Sequence, residues 1–239
     1  MSWKKSLPFF AWQSVRYAQN WAHFKQIWSF YGQWSASFSQ GRNSVSDESA
    51  WITFPARAYL EQHVRTDFRV FEFGGGGSTL FFCKKAAEVI TVEDNADWFE
   101  ILSNIVQSKN YQHWQGFFVA PEPLPDGPAR SHENPADFKS GSPNLGNLSF
   151  ERYARTIDPF PEAFFDLILV DGRARPSCIQ QALPHLKPGG LLVIDNTERP
   201  YYLAPFKALF ETQFSTELHL YAPVPYTPDF TRTTILKKR

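Results

Sequence analysis

The sequence predicts an α/β fold, with a mostly parallel sheet covered by helices on both faces. From Arg69 onward, short apolar stretches alternate with stretches of helical pattern. Strands separated by helices imply parallel crossovers. Several of the stretches, such as "DLILV" and "LLVI", are apolar at every position. A strand buried on both faces needs that continuity, whereas a strand with one wet face alternates. The 239 residues suffice for one such domain and an appendage.

The first 40 residues hold five of the eight tryptophans: Trp3, Trp12, Trp21, Trp28 and Trp34. Tyr17, Trp21, Phe24, Trp28 and Tyr31 are spaced by four, three, four and three, which places them on one helix face. A helical extension over 1–48 follows, docking its aromatic face on the main domain or on a second copy of the chain. A substrate lid and an interfacial membrane helix are the alternatives. The second would want more Lys and Arg on the polar face.

"GRNSVSDES" reads as a polar linker into a domain over 49–239. Pro55 opens a helix to about Val64. Arg69–Phe73 is a strand, Ser78–Lys85 a helix, Val89–Glu93 a strand and Ala96–Ser108 a helix. Gly116–Ala120 is a third strand. Nine of the 29 residues from Pro121 to Ser149 are Pro or Gly, so 121–149 is an irregular insertion. A short helix spans Phe150–Ile157. Phe165–Asp171 is a strand, Ser177–Leu186 a helix, Gly190–Asp195 a strand and Leu203–Phe210 a helix. Ser215–Tyr221 and Thr231–Lys237 lack an intervening helix and pair antiparallel at an edge.

Lys+Arg and Asp+Glu are both 24. A neutral chain argues against a nucleic-acid partner, although it leaves room for a local basic patch. No run of about 18 apolar residues predicts a membrane span, and the beginning of the chain lacks the features of a signal peptide. A cytoplasmic location is the default. Cys83 and Cys178 stand in apolar contexts and read as buried free thiols.

"RVFEFGGGGSTLFF" puts four glycines, Gly74–Gly77, after the first strand. In an open parallel sheet, ligands sit at the carboxyl ends of the strands. Glycine permits close backbone approach there. Glu93 ends the second strand, 21 residues after Glu72, and a carboxylate at that place accepts ribose hydroxyls. These features suit dehydrogenases and methyltransferases alike. Glu72 separates them: a carboxylate beside the loop repels a pyrophosphate but not a ligand with an ammonium and a sulfonium.

"VFEFGGGGSTL" resembles the first motif of class I S-adenosylmethionine (SAM) methyltransferases. "ITVED" is similar to their second-strand motif, and "LKPGGLLVID" to their loop and fifth strand. The resemblance covers about Pro55 to Asn196. It implies a Rossmann-like sheet of seven strands and SAM as cofactor. By that likeness Glu72 stands near the methionine ammonium, directly or through water, and Gly74, Gly75 and Gly76 let the backbone approach. Ser78 and Thr79 offer hydroxyls, Glu93 holds the ribose and Asp94 borders the adenine.

Asp171, Asp195 and Asn196 resemble the metal site of catechol-type O-methyltransferases, which implies Mg²⁺. That family's lysine base is replaced here by Ala174, flanked by Arg173 and Arg175. Arginine is a poor base and suits an anionic group better. Asp171 and Arg173 are therefore the candidate catalytic residues. "VDGRAR" with "DNxER" also resembles a group of poorly characterised bacterial methyltransferase-like proteins. The reading that follows is methyl transfer to a small acceptor at oxygen, with the arginines favouring an anionic one, and a homodimer through the aromatic helix. The alternatives are an NAD-dependent oxidoreductase and a non-catalytic interaction module. Among the histidines, His132 in the insertion is the one to test first.

Overall fold

The structure, a computed structural model, describes residues 6–124 and 127–239; Trp3 lies outside the described residues. The chain opens with three short helices, α1 (Leu7–Tyr17), α2 (Trp21–Ser29) and α3 (Tyr31–Ala36). The aromatic spacing predicted one helix through Tyr31. The helix instead breaks before Asn20, whose side chain accepts a hydrogen bond from the His23 amide and starts α2. An Asn that satisfies an otherwise orphaned amide favours a new helix start over continuation.

Helix α4 (Phe54–His63) leads to β1 (Arg69–Phe73), α5 (Gly77–Cys83), β2 (Glu88–Glu93), α6 (Ala96–Ser108) and β3 (Trp114–Phe118). Strand β3 lies two residues earlier than predicted, because it pairs Trp114 with Val89 and Phe118 with Glu93, where β2 ends. Within the insertion, β4 (Glu122–Pro123) and β5 (Leu148–Ser149) form a small ribbon. Helix α7 (Glu151–Ala154) precedes β6 (Phe165–Val170), α8 (Arg175–His185) and β7 (Leu186–Ile194). Helix α8 starts two residues before the predicted Ser177, with Pro176 in its first turn, where its fixed φ and missing amide cost nothing. The helix predicted over Leu203–Phe210 is two 3-10 turns followed by α9 (Lys207–Gln213). Pro205 disfavours helical backbone in the residue before it. Strands β8 (Phe214–Ala222) and β9 (Thr231–Lys238) close the chain.

The main sheet has seven strands in the order β3-β2-β1-β6-β7-β9-β8. Its pairs are parallel except those made by β9. The all-apolar strands are explained by two cores. Phe71, Phe73, Ile168 and Val170 face one, and Val70, Leu167, Leu169 and Val193 face the other. Both cysteines are buried and free. Among the described residues, no helix is long and apolar enough to cross a membrane.

The N-terminal helices pack on the far edge of this sheet. Phe10, Ile27 and Trp34 form a cluster with Phe54 and Phe230. Tyr17 stacks on Tyr221 at 4.4 Å between ring centres. The Gln13 side chain donates to the Pro228 carbonyl at 2.7 Å and accepts from the Phe230 amide at 2.8 Å. The face buried within the chain is thus that of Phe10, Ile27 and Trp34, whereas Trp21 of the predicted stripe stays exposed.

Candidate functional site

Chain order reverses between β1 and β6, so the carboxyl ends of these strands diverge into a crevice. A cleft of about 830 Å³ lies there, lined by the Gly74–Gly77 loop, Glu93, Asp94, Trp98, Asp171 and Arg173. Gly74 needs to be glycine, because its φ is +91° and a Cβ would meet the Gly172 backbone at 2.8 Å. The loop is therefore pressed against the β6–α8 connection as well as open to the cleft.

Glu72 does not line the cleft. Its carboxyl is fully buried and accepts hydrogen bonds from the hydroxyls of Ser78 at 2.7 Å, Thr91 at 2.7 Å and Thr79. Burial pushes its pKa up to about 7, against the pull of those hydroxyls. Glu72 and Thr79 thus do not line the cleft directly, whereas Ser78 does. Together with Thr91 these groups lock α5 to β1 and β2, and Ser78 also borders the cleft. Their partners lie up to 19 residues apart in sequence, so no short motif discloses the network.

Glu93 does face the cleft. Its carboxylate accepts the Gly75 amide at 2.9 Å, the Asp94 amide at 3.0 Å and the Asn95 amide at 3.1 Å. Burial raises its pKa, and these amides oppose that shift. The group is thereby held in one orientation at the loop. Trp98 was missed at the sequence level. Its indole donates to the Gly75 carbonyl at 2.8 Å, and its ring forms part of the wall. Its place in the first turn of α6, just past the acidic strand end, was the available signal.

The polar linker is also part of the site. Asn43, Ser44 and Val45 line the cleft, and a Cβ on Gly77 would run into the Ser44 and Ser49 carbonyls. Glu48 pairs with both Lys84 and Lys109, and Arg42 with Asp47 at 2.7 Å. The segment is a strap pinned across the glycine loop.

The residues expected to hold a metal do not fit one. The Arg175 guanidinium is 8 % exposed. It donates to the Asp171 carboxylate at 2.9 Å and to the carbonyls of Asp171, Gly172 and Asp195. The Asp195 carboxylate accepts the Thr233 hydroxyl at 2.6 Å, and burial beside Asp171 raises its pKa. Asn196 takes left-handed backbone with φ of 55° and lines a different cavity. The arginine is the cation of this oxygen cluster, and among the described residues no His, Cys, Asp or Glu group is disposed to hold a metal ion. The Mg²⁺ expectation is corrected on that ground.

A second cavity, of about 500 Å³, adjoins the cleft and shares Gly172, Arg173 and Arg175 with it. The insertion and the segment after β7 build its walls, which include His132, Lys139, Asn196, Arg199 and Tyr201. The insertion is anchored by Phe138, whose amide donates to the Ser177 hydroxyl at 3.1 Å. His132 meets Tyr201 edge-on, with ring centres 4.8 Å apart. Glu198 and Arg199 do not pair: Glu198 accepts from the Arg232 amide, and Arg199 donates to the Tyr202 hydroxyl at 2.8 Å. Glu93, Asp94 and Asp171 line the first cavity beside Arg173 and Arg175, whereas among the described residues no carboxylate lines the second.

No protein-family model matches the sequence, and neither does any curated protein. Solved structures do match. A Streptococcus mutans protein described as a candidate methyltransferase, in complex with S-adenosylhomocysteine (SAH), is 14 % identical with a TM-score of 0.52, over 77 % of this chain and 96 % of that one. An rRNA methylase of Streptococcus thermophilus is 16 % identical with a TM-score of 0.52, over 79 % of this chain and 99 % of that one. TrmN of Thermus thermophilus is 14 % identical with a TM-score of 0.51, over 77 % of this chain and 48 % of that one. The chain has the class I SAM-dependent methyltransferase fold. The sequence-based expectation of a small-molecule partner and no nucleic acid is corrected by the rRNA methylase, which carries this fold across nearly its whole length.

Proposed function

We propose that this protein is a SAM-dependent methyltransferase. The observation that carries the reading is the cleft at the β1–β6 reversal, where the glycine loop and the oriented Glu93 carboxylate face one space. Its volume suits a cofactor-sized ligand. SAM, when bound, supplies an electrophilic methyl group on a sulfonium. The chain's own residues bind and position. Glu93 accepts ribose hydroxyls while the loop amides hold it still, and Trp98 walls the nucleoside side. Glu93, Asp94 and Asp171 give the compartment the sign that suits a cationic ligand. Asp171, fixed by Arg175, lines the cleft beside Gly172 and Arg173, which the second cavity shares, and is the carboxylate assigned to the acceptor side.

Oxygen as the methylated atom rested on the catechol-type likeness of Asp171, Asp195 and Asn196. Their contacts with Arg175 and Thr233 remove that support, so the acceptor is read from the second cavity instead. Calorimetry with SAM and SAH tests the cofactor assignment. Glu93→Gln, which keeps one accepting oxygen and removes the charge, is expected to weaken both ligands by about tenfold or more, the scale of a lost charge-assisted hydrogen bond. Binding of NAD in preference to SAM by the unaltered protein would sink the proposal.

A further inference from the structure

We infer that the second cavity is a phosphate-binding acceptor pocket, taking a nucleotide phosphate as the free nucleotide or within an RNA strand. This rests on the methyltransferase reading of the adjoining cleft. Lys139 comes from the insertion, Arg173 from the β6–α8 connection and Arg199 from the segment after β7. Three separate segments thus converge cations on one space of about 500 Å³, and among the described residues no carboxylate lines its walls. Arg173 is shared with Asp94, but Lys139 and Arg199 have no carboxylate partner among the described contacts; such cations suit a multiply charged oxyanion, and the arginine fork matches phosphate oxygens. The cavity is far larger than a phosphate, and Tyr201 and His132 add aromatic surface beside the cations. Aromatic rings next to basic side chains are how proteins hold an unstacked base and its phosphate together.

The position of Arg173 links this pocket to the chemistry. It lines both cavities, and its guanidinium lies 3.5 Å from Asp94 on the cofactor side. A phosphate in the basic pocket therefore places the rest of its nucleotide toward the β6 end, where the two cavities meet. Lys139 donates to the Arg130 carbonyl and Arg199 to the Tyr202 hydroxyl. Neither makes an ion pair among the described contacts, so both charges are available to a ligand.

The test uses the full chain saturated with SAH, a fluorescent single-stranded oligoribonucleotide as probe, and adenosine 5′-monophosphate as competitor. Lys139→Gln and Arg199→Gln are each expected to weaken probe binding about tenfold. Each is also expected to flatten the dependence of log affinity on log salt by about one unit, and SAH affinity stays unchanged. Competition by the mononucleotide assigns the pocket to free nucleotides; binding that only the strand competes for assigns it to RNA. Equal probe affinity and equal salt slope in both variants, with SAH bound normally, would overturn the pocket assignment and leave the cofactor assignment standing. Failure of the unaltered protein to bind SAH would instead overturn the methyltransferase reading beneath it.

Discussion

Two buried carboxyl groups show how far a residue's role departs from its motif position. Glu72 sits where an acidic residue announces a cationic ligand, yet three hydroxyls enclose it and the cleft does not reach it. Its pKa, raised to about 7 from 4.5, makes a prediction with a definite sign. The folded state holds this proton more tightly than the unfolded chain, so the stabilisation is full below about pH 4.5 and is lost as pH rises through 7. Glu72→Gln, which cannot ionise, should show a melting temperature that falls less between pH 5 and 8 than that of the unaltered protein. Parallel melting curves for the two proteins would refute it. Asp195 shifts in the same direction and remains in both, so the difference isolates Glu72. Arg175 is the complementary case. The sequence showed only a poor base near Asp171; the structure makes it the internal counter-charge of the oxygen cluster.

Among the elements, the strands and most helices were legible because their signals are local. Continuous apolarity marks the buried strands, and Asn95 caps the start of α6, whereas the start of α8 at Arg175, with Pro176 in its first turn, was placed two residues late. What escaped the sequence depends on contacts between distant segments. The Asn43–Ser49 strap looks like any polar linker until its Ser44 and Ser49 carbonyls are seen against Gly77, 33 and 28 residues away. The aromatic stripe was legible only in part: Tyr17 and Trp28 pack, Trp21 stays exposed, and the buried anchors are Phe10 and Trp34, whose partners Phe230 and the Thr227 carbonyl come from far along the chain. The interruption at Asn20 did have a local signal, a capping side chain three residues before His23. Removing it by Asn20→Ala should cost about 1 kcal/mol. That corresponds to about 2–4 °C in melting temperature for a chain of this size, and an unchanged melting temperature would show that α1 and α2 do not need the cap.

At the scale of the whole molecule, α1–α3 are tied to the segment around Pro228 and Phe230. Phe230 is 4 % exposed and packs against Phe10, with ring centres 5.2 Å apart. Phe230→Ala should destabilise by about 3–5 kcal/mol. The expected signature is uneven, with hydrogen exchange rising across α1–α3 well before it rises in β1, β2 and β6. Uniform acceleration across both regions would show that the helices and the sheet are one cooperative unit and that the edge contact is not the weak seam. The same arrangement bears on the order in which the protein is made. Gln13 reaches across 215 residues to Pro228 and 217 to Phe230, so when the leading helices leave the ribosome their docking partner has not been translated. Phe10, Trp28 and Trp34 must wait, exposed and adhesive, for nearly the whole of synthesis. A ribosome stalled short of β9 would therefore hold a chain whose sheet is largely present but whose stickiest surface is uncovered, which makes such nascent chains natural clients for a chaperone.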